Sequence, residues 1–474
     1  MKRALALGLT CALAACAVGP DFERPAPPAV QSYTAAPLPA GLMSGQDLPA
    51  EWWVLFHSQG LDALVKQAIA ANPNLAAAKA SLRQAHELAA AQRTAFFPTL
   101  TGDLTQVRGK NAQNSIAPPT QLTDPYYSLY TAQLSLSWAP DFWGATRRAV
   151  EAAEAQEQGT RFQYEAAYIT LSATVVVTVI EEASLRAQLA ANRRLLAIAH
   201  ELTEKLERQR AIGAASELDL LAQRSLEAQM AQALPPLEKQ LAQTRDALAA
   251  LLGVTPVELT GDAITLDDLT LPGDLPVSLP SKLVEQRPDV RAAEEAMHAA
   301  SAEVGVAVAA MLPDITLTGT LGSGALTPSK LFTPGNGFWT VGSSLSQTLF
   351  DSGALLHKRR AADAALDQAG AQYRAAVLGA FQNVADALEA LRADADAQKA
   401  ADEADRAAKK TWDLAQRQRA IGMINLVIML NAEQSYQQAE INLIASRAAR
   451  LSDSAGLFQA LGGGWWNRRE AEAQ

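Results

Sequence analysis

The chain has 474 residues, 49% of them hydrophobic, with 50 acidic against 40 basic side chains and a formal net charge of −10. That balance disfavours a polyanionic partner such as nucleic acid, and the apolar content suits a large packed assembly rather than a disordered chain. Its two cysteines, Cys11 and Cys16, exclude a disulfide framework once the first is assigned to a cleaved leader.

Met1-Lys2-Arg3 and the apolar stretch 4–15 have the basic start and short hydrophobic region of a secretory signal, too short to span a bilayer. The stretch ends in Leu13-Ala14-Ala15-Cys16, which resembles the cleavage site of bacterial lipoproteins and makes Cys16 the acylated N-terminus. The mature chain then loses Lys2 and Arg3 and carries −12. One fatty chain anchors only marginally, but such lipoproteins carry more than one. Ala17, in place of the Asp that resembles an inner-membrane retention signal, favours the outer membrane. Residues 16–50 contain Pro20, Pro25, Pro27, Pro28, Pro37, Pro39 and Pro49, a density that rules out helix and sheet interiors and predicts an extended, lipidated tether.

Beyond the tether the chain is written twice. Arg208-Gln209-Arg210-Ala211-Ile212-Gly213 recurs as Arg417-Gln418-Arg419-Ala420-Ile421-Gly422, an offset of 209. Asn72-Pro73-Asn74-Leu75 matches Arg287-Pro288-Asp289-Val290 at an offset of 215, the difference lying in one longer loop before Gly144. Collinear anchors with a single length change mark a duplication. The predicted organisation is a signal at 1–15, the tether at 16–50, repeats at 51–253 and 281–462, a linker at 254–280, and a tail at 463–474.

Within each repeat, helix formers predict a helix over 61–96, ended by Pro98, and its counterpart over 281–311, ended by Pro313. Next come stretches of period two, in which Leu134, Leu136 and Trp138 alternate with Gln133, Ser135 and Ser137, and Ile315, Leu317 and Leu321 with Thr316, Thr318 and Thr320. Such alternation predicts strands with one apolar and one polar face. Weaker matches lie at 99–106 and at Trp339, Val341, Ser343, Leu345 and Leu349. The pattern alone also fits a soluble hairpin capping a coiled coil. Trp138, Phe142, Trp143, Trp339 and Phe350 gather where the strands meet the next helices, as aromatic girdles do at a membrane boundary, which favours the membrane.

Proline-free runs after Gly144 and Gly353 predict two helices of 68 residues, roughly 100 Å each at 1.5 Å per residue. Phe162, Ala166, Ile169, Ala173, Val176 and Ile180, and in the second copy Val377, Phe381, Val384, Leu388 and Leu391, step by fours and threes as a coiled-coil seam does. Return helices are predicted over 217–252 and 425–461. Four strands per chain cannot close a barrel, and open edges in lipid are costly. Two chains give eight strands, an interior that side chains fill, whereas three give twelve and room for a pore, so a homotrimer is favoured.

With these residues in view, the chain resembles the TolC-like outer membrane factors, specifically the NodT-type lipoproteins of RND efflux systems. The resemblance runs from Cys16-Ala17-Val18-Gly19-Pro20-Asp21-Phe22 through Trp52-Trp53, Asn72-Pro73-Asn74-Leu75 and Trp138-Ala139-Pro140-Asp141-Phe142-Trp143-Gly144 to Leu461-Gly462-Gly463-Gly464-Trp465. It implies an α+β fold, a trimeric twelve-stranded barrel in outer membrane lipid, continued by a helical tunnel across the periplasm. It further implies a passive exit duct for drugs, metals or other small molecules, docked on a periplasmic adaptor and an inner-membrane RND-type transporter.

The two turns, with Arg210, Ala211, Ile212 and Gly213 in one and Arg419, Ala420, Ile421 and Gly422 in the other, are the expected adaptor-docking tips. Many relatives carry an acid followed three positions later by a base near the constriction, whereas this chain has Asn431-Ala432-Glu433-Gln434. Asn431, Glu433 and Asp219 are therefore the gate candidates.

Two other readings share much of this pattern, an exit duct for secreted proteins and a periplasmic coiled-coil lipoprotein without a pore. No enzyme is read from the sequence, which offers no nucleophile and base at recognisable spacing. Nor does it suggest a cofactor or metal, since no two of its five histidines lie four residues apart.

Overall fold

The computed structural model describes residues 17–468 apart from 27, 31, 35–41, 111–125, 262 and 272–274, so the leader and Cys16 lie outside the described residues. Two compact units form. The first takes Arg83–Gly159 and Ala293–Tyr373 with the N-terminal segment up to Arg24, and the second takes Pro25–Leu82, Thr160–Ala292 and Arg374 onwards.

The first unit holds a four-stranded antiparallel sheet whose strands lie side by side in chain order. Its strands are β2 (Thr99–Lys110), β3 (Tyr126–Trp138), β5 (Asp314–Ala325) and β6 (Gly337–Ser346). Thr99 faces Ser137, Trp138 faces Leu317, and Asp314 faces Ser346, so each copy contributes one hairpin and β3 joins the two hairpins through β5. Directly opposed residues share a face. The pairs Leu100–Leu136, Gly102–Leu134 and Leu104–Ala132 continue into Leu134–Leu321 and Leu321–Trp339, which builds one apolar face. Thr101–Ser135, Asp103–Gln133, Ser135–Thr320 and Thr320–Thr340 build the polar one. The weak alternation at 99–106 thus extends through Lys110, while β6 ends at Ser346 and leaves Leu349 beyond the strand. The outer edges of β2 and β6 have no strand beside them among the described residues.

The second unit is helical around an aromatic centre. Trp52, Trp53 and Phe56 are fully buried with Val176, Ile180, Leu252 and Phe458, and Trp52 meets Phe458 at 5.5 Å between ring centroids. The short helices expected at 61–96 and 281–311 are each broken in two, as α1 (Gln59–Ala71) and α2 (Pro73–Arg93), and as α5 (Pro280–Gln286) and α6 (Pro288–Ala309). Proline lacks the N–H and pushes its predecessor out of the helical region: Asn72 and Arg287 are extended, with ψ of 123° and 119°. The Asn72 side chain then accepts from the N–H groups of Asn74 and Leu75 at 2.9 and 3.1 Å, restarting the helix.

The long helices are α3 (Ala145–Ala211) and α7 (Ala354–Ala420), 67 residues each, and the return helices α4 (Glu217–Leu251) and α8 (Leu426–Ala460) have 35 each. One window of α3 is apolar enough to cross a membrane by composition, and half of it is buried. Ala173, Val176 and Ile180 of the expected seam belong to the core and Ile169 is buried, so this stretch packs as a helix face.

The tether is not wholly free of sheet. Leu42–Ser44 (β1) pairs in parallel with Leu275–Val277 (β4) in the linker between the repeats, a three-residue ladder too short for alternation to betray it. Of residues 463–468, grouped with the tail in the sequence, Gly463 and Gly464 are buried and Trp466 packs against the core. Gly462, Gly463 and Gly464 all have positive φ, and a Cβ on Gly464 would lie 2.2 Å from the Pro49 carbonyl oxygen, so the backbones touch where only glycine fits. Trp465 donates to the Gln286 carbonyl at 2.7 Å and Asn467 to the Leu48 carbonyl at 2.8 Å. Arg468 pairs with buried Glu165 and stacks over Tyr168 at 4.4 Å.

Candidate functional site

Both long helices end in the same way. Gly213 and Gly422 adopt φ of 75° and 76°. The N–H groups of Gly213 and Ala214 bond the carbonyls of Arg210 and Gln209 at 2.9 and 2.8 Å, and those of Gly422 and Met423 bond Arg419 and Gln418 at 3.0 and 2.9 Å. This pair of bonds with a left-handed glycine is the Schellman stop. The return helices then begin on Ser216, whose Oγ accepts from Asp219 N–H at 3.1 Å, and on Asn425, whose Oδ1 accepts from Ile428 N–H at 3.0 Å.

Identical sequence does not give identical partners here. Arg210 forms an ion pair with Glu217, whereas Arg419 donates to the Ile424 carbonyl at 3.4 Å. Ala211 and Ala420 are exposed, and Ile212 and Ile421 are 80% and 71% exposed. No Cβ added to Gly213 or Gly422 would meet anything within 4 Å. Exposed apolar side chains continue from the turns into the return helices, as Leu218 and Leu221 on α4, and as Met423, then Val427 and Ile428 on α8. Their signal in the sequence is the crowding of apolar residues into the first turns of the return helices.

The three gate candidates separate. Asn431 is exposed and Asp219 half-buried, while Glu433 is fully buried and neither of its carboxylate oxygens has a hydrogen-bond partner among the described residues. Burial alone pushes the Glu433 carboxyl up to about 7.

At the base of the sheet, indole N–H groups fasten strands to loops: Trp138 donates to the Phe96 carbonyl at 3.0 Å and Trp143 to the Pro313 carbonyl at 2.7 Å. The segment following Cys16 is docked on the same unit. Val18 N–H bonds the Trp143 carbonyl at 3.0 Å, Arg148 pairs with Asp21 at 2.5 Å, and Phe22 stacks on His298 at 4.4 Å. Gly19 and Gly305 touch so closely that a Cβ on Gly19 would lie 2.4 Å from the Gly305 Cα.

The chain can be set beside known proteins. The chain matches the outer membrane efflux protein family over residues 64–254 and 279–463. It is 32% identical to the pyoverdine export outer membrane protein OpmQ of Pseudomonas putida, with 97% of each chain covered. It is 28% identical to the toluene efflux pump outer membrane protein TtgF, from another strain of that species, over 98% of this chain and 97% of the relative. Among solved structures, the outer-membrane channel OprN superposes with a TM-score of 0.88 at 27% identity, covering 95% of this chain and all of the other. In sequence and in fold alike, the chain belongs to the outer membrane efflux protein family, whose members are TolC-like channels of the outer membrane.

Proposed function

We propose that three copies of this chain close a twelve-stranded barrel and serve as the passive exit duct of a tripartite pump, with a periplasmic adaptor and an inner-membrane RND-type transporter as partners. The sheet carries this reading. It has one apolar and one polar face and, among the described residues, two open edges, and in hydrocarbon an unpaired edge leaves backbone groups unsatisfied at several kcal/mol each. Four strands are too few to close on themselves, whereas three chains supply twelve. In this assembly the apolar face with Leu136, Leu317 and Trp339 meets lipid and the face with Thr101, Thr318 and Thr340 lines the water-filled bore.

The exported class is small molecules, the class that includes the pyoverdine and toluene of the relatives' names. Acylated Cys16 is the second anchor, supported by the docking of residues 18–22 beside Trp143. The two glycine turns are the adaptor-docking tips, supported by their exposure and by the apolar residues that flank them. Asp219, Asn431 and Glu433 belong to the closing region of the duct.

Mass measurement of the full chain in detergent, with single-channel recording in planar bilayers, tests the assembly. Three chains per particle and ohmic conductance are expected, and a stable lipid-inserted monomer overturns the reading.

A further inference from the structure

Four helices meet near the two turns through one apolar cluster, in which Leu206 of α3, Leu220 of α4, Trp412 of α7 and Met429 of α8 are buried and against which Tyr436 packs. Met429 lies four residues before Glu433 on α8 and Tyr436 three after it, so the three share a helix face. Glu433 thus turns towards the cluster, fully buried and with both oxygens unpartnered. A carboxylate in such surroundings is strongly disfavoured unless paired.

The charged groups around the cluster are occupied elsewhere or open to water. On α3, Arg194 pairs with Glu440 of α8, and Glu207 pairs with Arg224 of α4. Glu227 of α4 takes His200 and Thr203, and Asp219, in the first turn of α4, is half-buried and open to water. On α7, Asp405 and Asp413 bear on the Tyr436 hydroxyl, and Lys409 and Lys410 are exposed. No charge offsets the burial of Glu433, which is the sole cause of its raised pKa. A second buried polar side chain lies on the facing helix: Gln223 of α4 donates to the Ala199 carbonyl at 3.0 Å and leaves its own Oε1 unpartnered.

We propose that Glu433 is a proton-controlled latch: protonated, it stays within the apolar cluster and holds α3 and α4 against α7 and α8; ionised, it requires water and loosens that contact, easing dilation of the duct near its turns. The dilation rests on the duct reading above, while the loosening does not. The linkage has a definite sign. The packed state holds the proton up to about pH 7, against an ordinary value of 4.5. Packing is therefore most stable below about 4.5, weakens as the pH rises through the interval to about 7, and changes no further above it.

Hydrogen exchange over residues 429–436 of the full-length protein, corrected for the intrinsic pH dependence of exchange, reads the latch directly. In the wild type, protection should fall about tenfold per pH unit between 5 and 7 and level off by 8. Glu433→Gln, which keeps the shape and cannot titrate, should show no such fall, and Glu433→Met provides the same comparison should the glutamine variant fail to assemble. A flat wild-type profile, or an equal fall in a variant that cannot titrate, overturns the proposal. Conductance at pH 5 and pH 8 is measured in parallel, with a rise expected in the wild type alone. Absent conductance with the expected exchange profile defeats the duct reading and leaves the latch standing, whereas normal conductance with pH-independent exchange defeats the latch by itself.

Discussion

Glycine is needed for two different reasons in this chain, and substitution separates them. At Gly213 and Gly422 the left-handed backbone is the whole requirement, because an added Cβ meets only open space. Gly213→Ala or Gly422→Ala should each lower stability by about 1 kcal/mol. At Gly463 the same backbone strain is joined by a Cβ placed 2.8 Å from Ile169 Cγ1, and Gly463→Ala should cost several-fold more, as a core overpacking does. Thermal unfolding midpoints of the purified variants check the ranking, and equal losses at Gly213 and Gly463 would show that the close approach is unimportant. Cys16 makes a chemical prediction of its own. Mass spectrometry of the mature N-terminal peptide should find it acylated, and Cys16→Ser should reduce membrane retention without preventing assembly. An unmodified Cys16 behind a cleavage elsewhere counts against the anchor.

At the scale of elements, the sheet predicts an asymmetry between neighbours. Leu317 belongs to the apolar face and Thr318 to the polar one. Leu317→Arg should impair membrane insertion by roughly 2–4 kcal/mol, the cost of arginine facing lipid near the midplane. Thr318→Arg should insert normally and alter conductance, and equal behaviour of the two would refute the assignment of faces. The turns can be tested by changing Arg210 and Arg419 together to Glu and assaying capture of the cognate adaptor. Lost capture with normal trimer yield supports docking, while unchanged capture and export leaves the arginines a capping role. Because Arg210 already holds Glu217, a double change to Gln separates loss of that ion pair from charge reversal.

How much of these elements the sequence revealed follows from how local each signal is. The long helices and the strands β3 and β5 repeat their period often enough to be read, and the helix ends fall close to expectation, whereas β3 begins well before the alternation read from Gln133 to Trp138, at Tyr126. Asn72-Pro73 and Arg287-Pro288 were legible as matching anchors, yet the helix break they impose was masked by strong helix formers on both sides. The pairing of Leu42–Ser44 with Leu275–Val277 spans more than two hundred residues and leaves no periodic trace. Glu433 was legible as a gate candidate from its place on the return helix, but its enclosure was not, because only the meeting of four helices buries it.

For the whole molecule, duplication sets the terms. Two copies of one plan supply paired long helices of equal length, paired return helices of equal length, and two hairpins that share a single sheet. In the proposed trimer six glycine turns would alternate around one rim, three carrying the Arg210–Glu217 pair and three without an equivalent acid, since Leu426 opens α8 where Glu217 opens α4. The rim is then threefold rather than sixfold in charge, and a partner that reads charge would bind the two kinds of turn differently.

The glycine-tryptophan segment at 462–468 bears on the order of events during biogenesis. Asn467 is bonded to Leu48 across a separation of 419 residues, and Gly464 rests on the backbone of Pro49. The innermost layer around Trp52 and Phe458 therefore cannot be completed while the last dozen residues are still on the ribosome. Were the leader expected at 1–15 to direct export, the chain would cross the inner membrane before its core is finished, still threadable without a dedicated unfolding step. The same long loop closure makes the final collapse slow, so the full-length chain spends its most exposed interval in the periplasm, where assistance against aggregation would have to act.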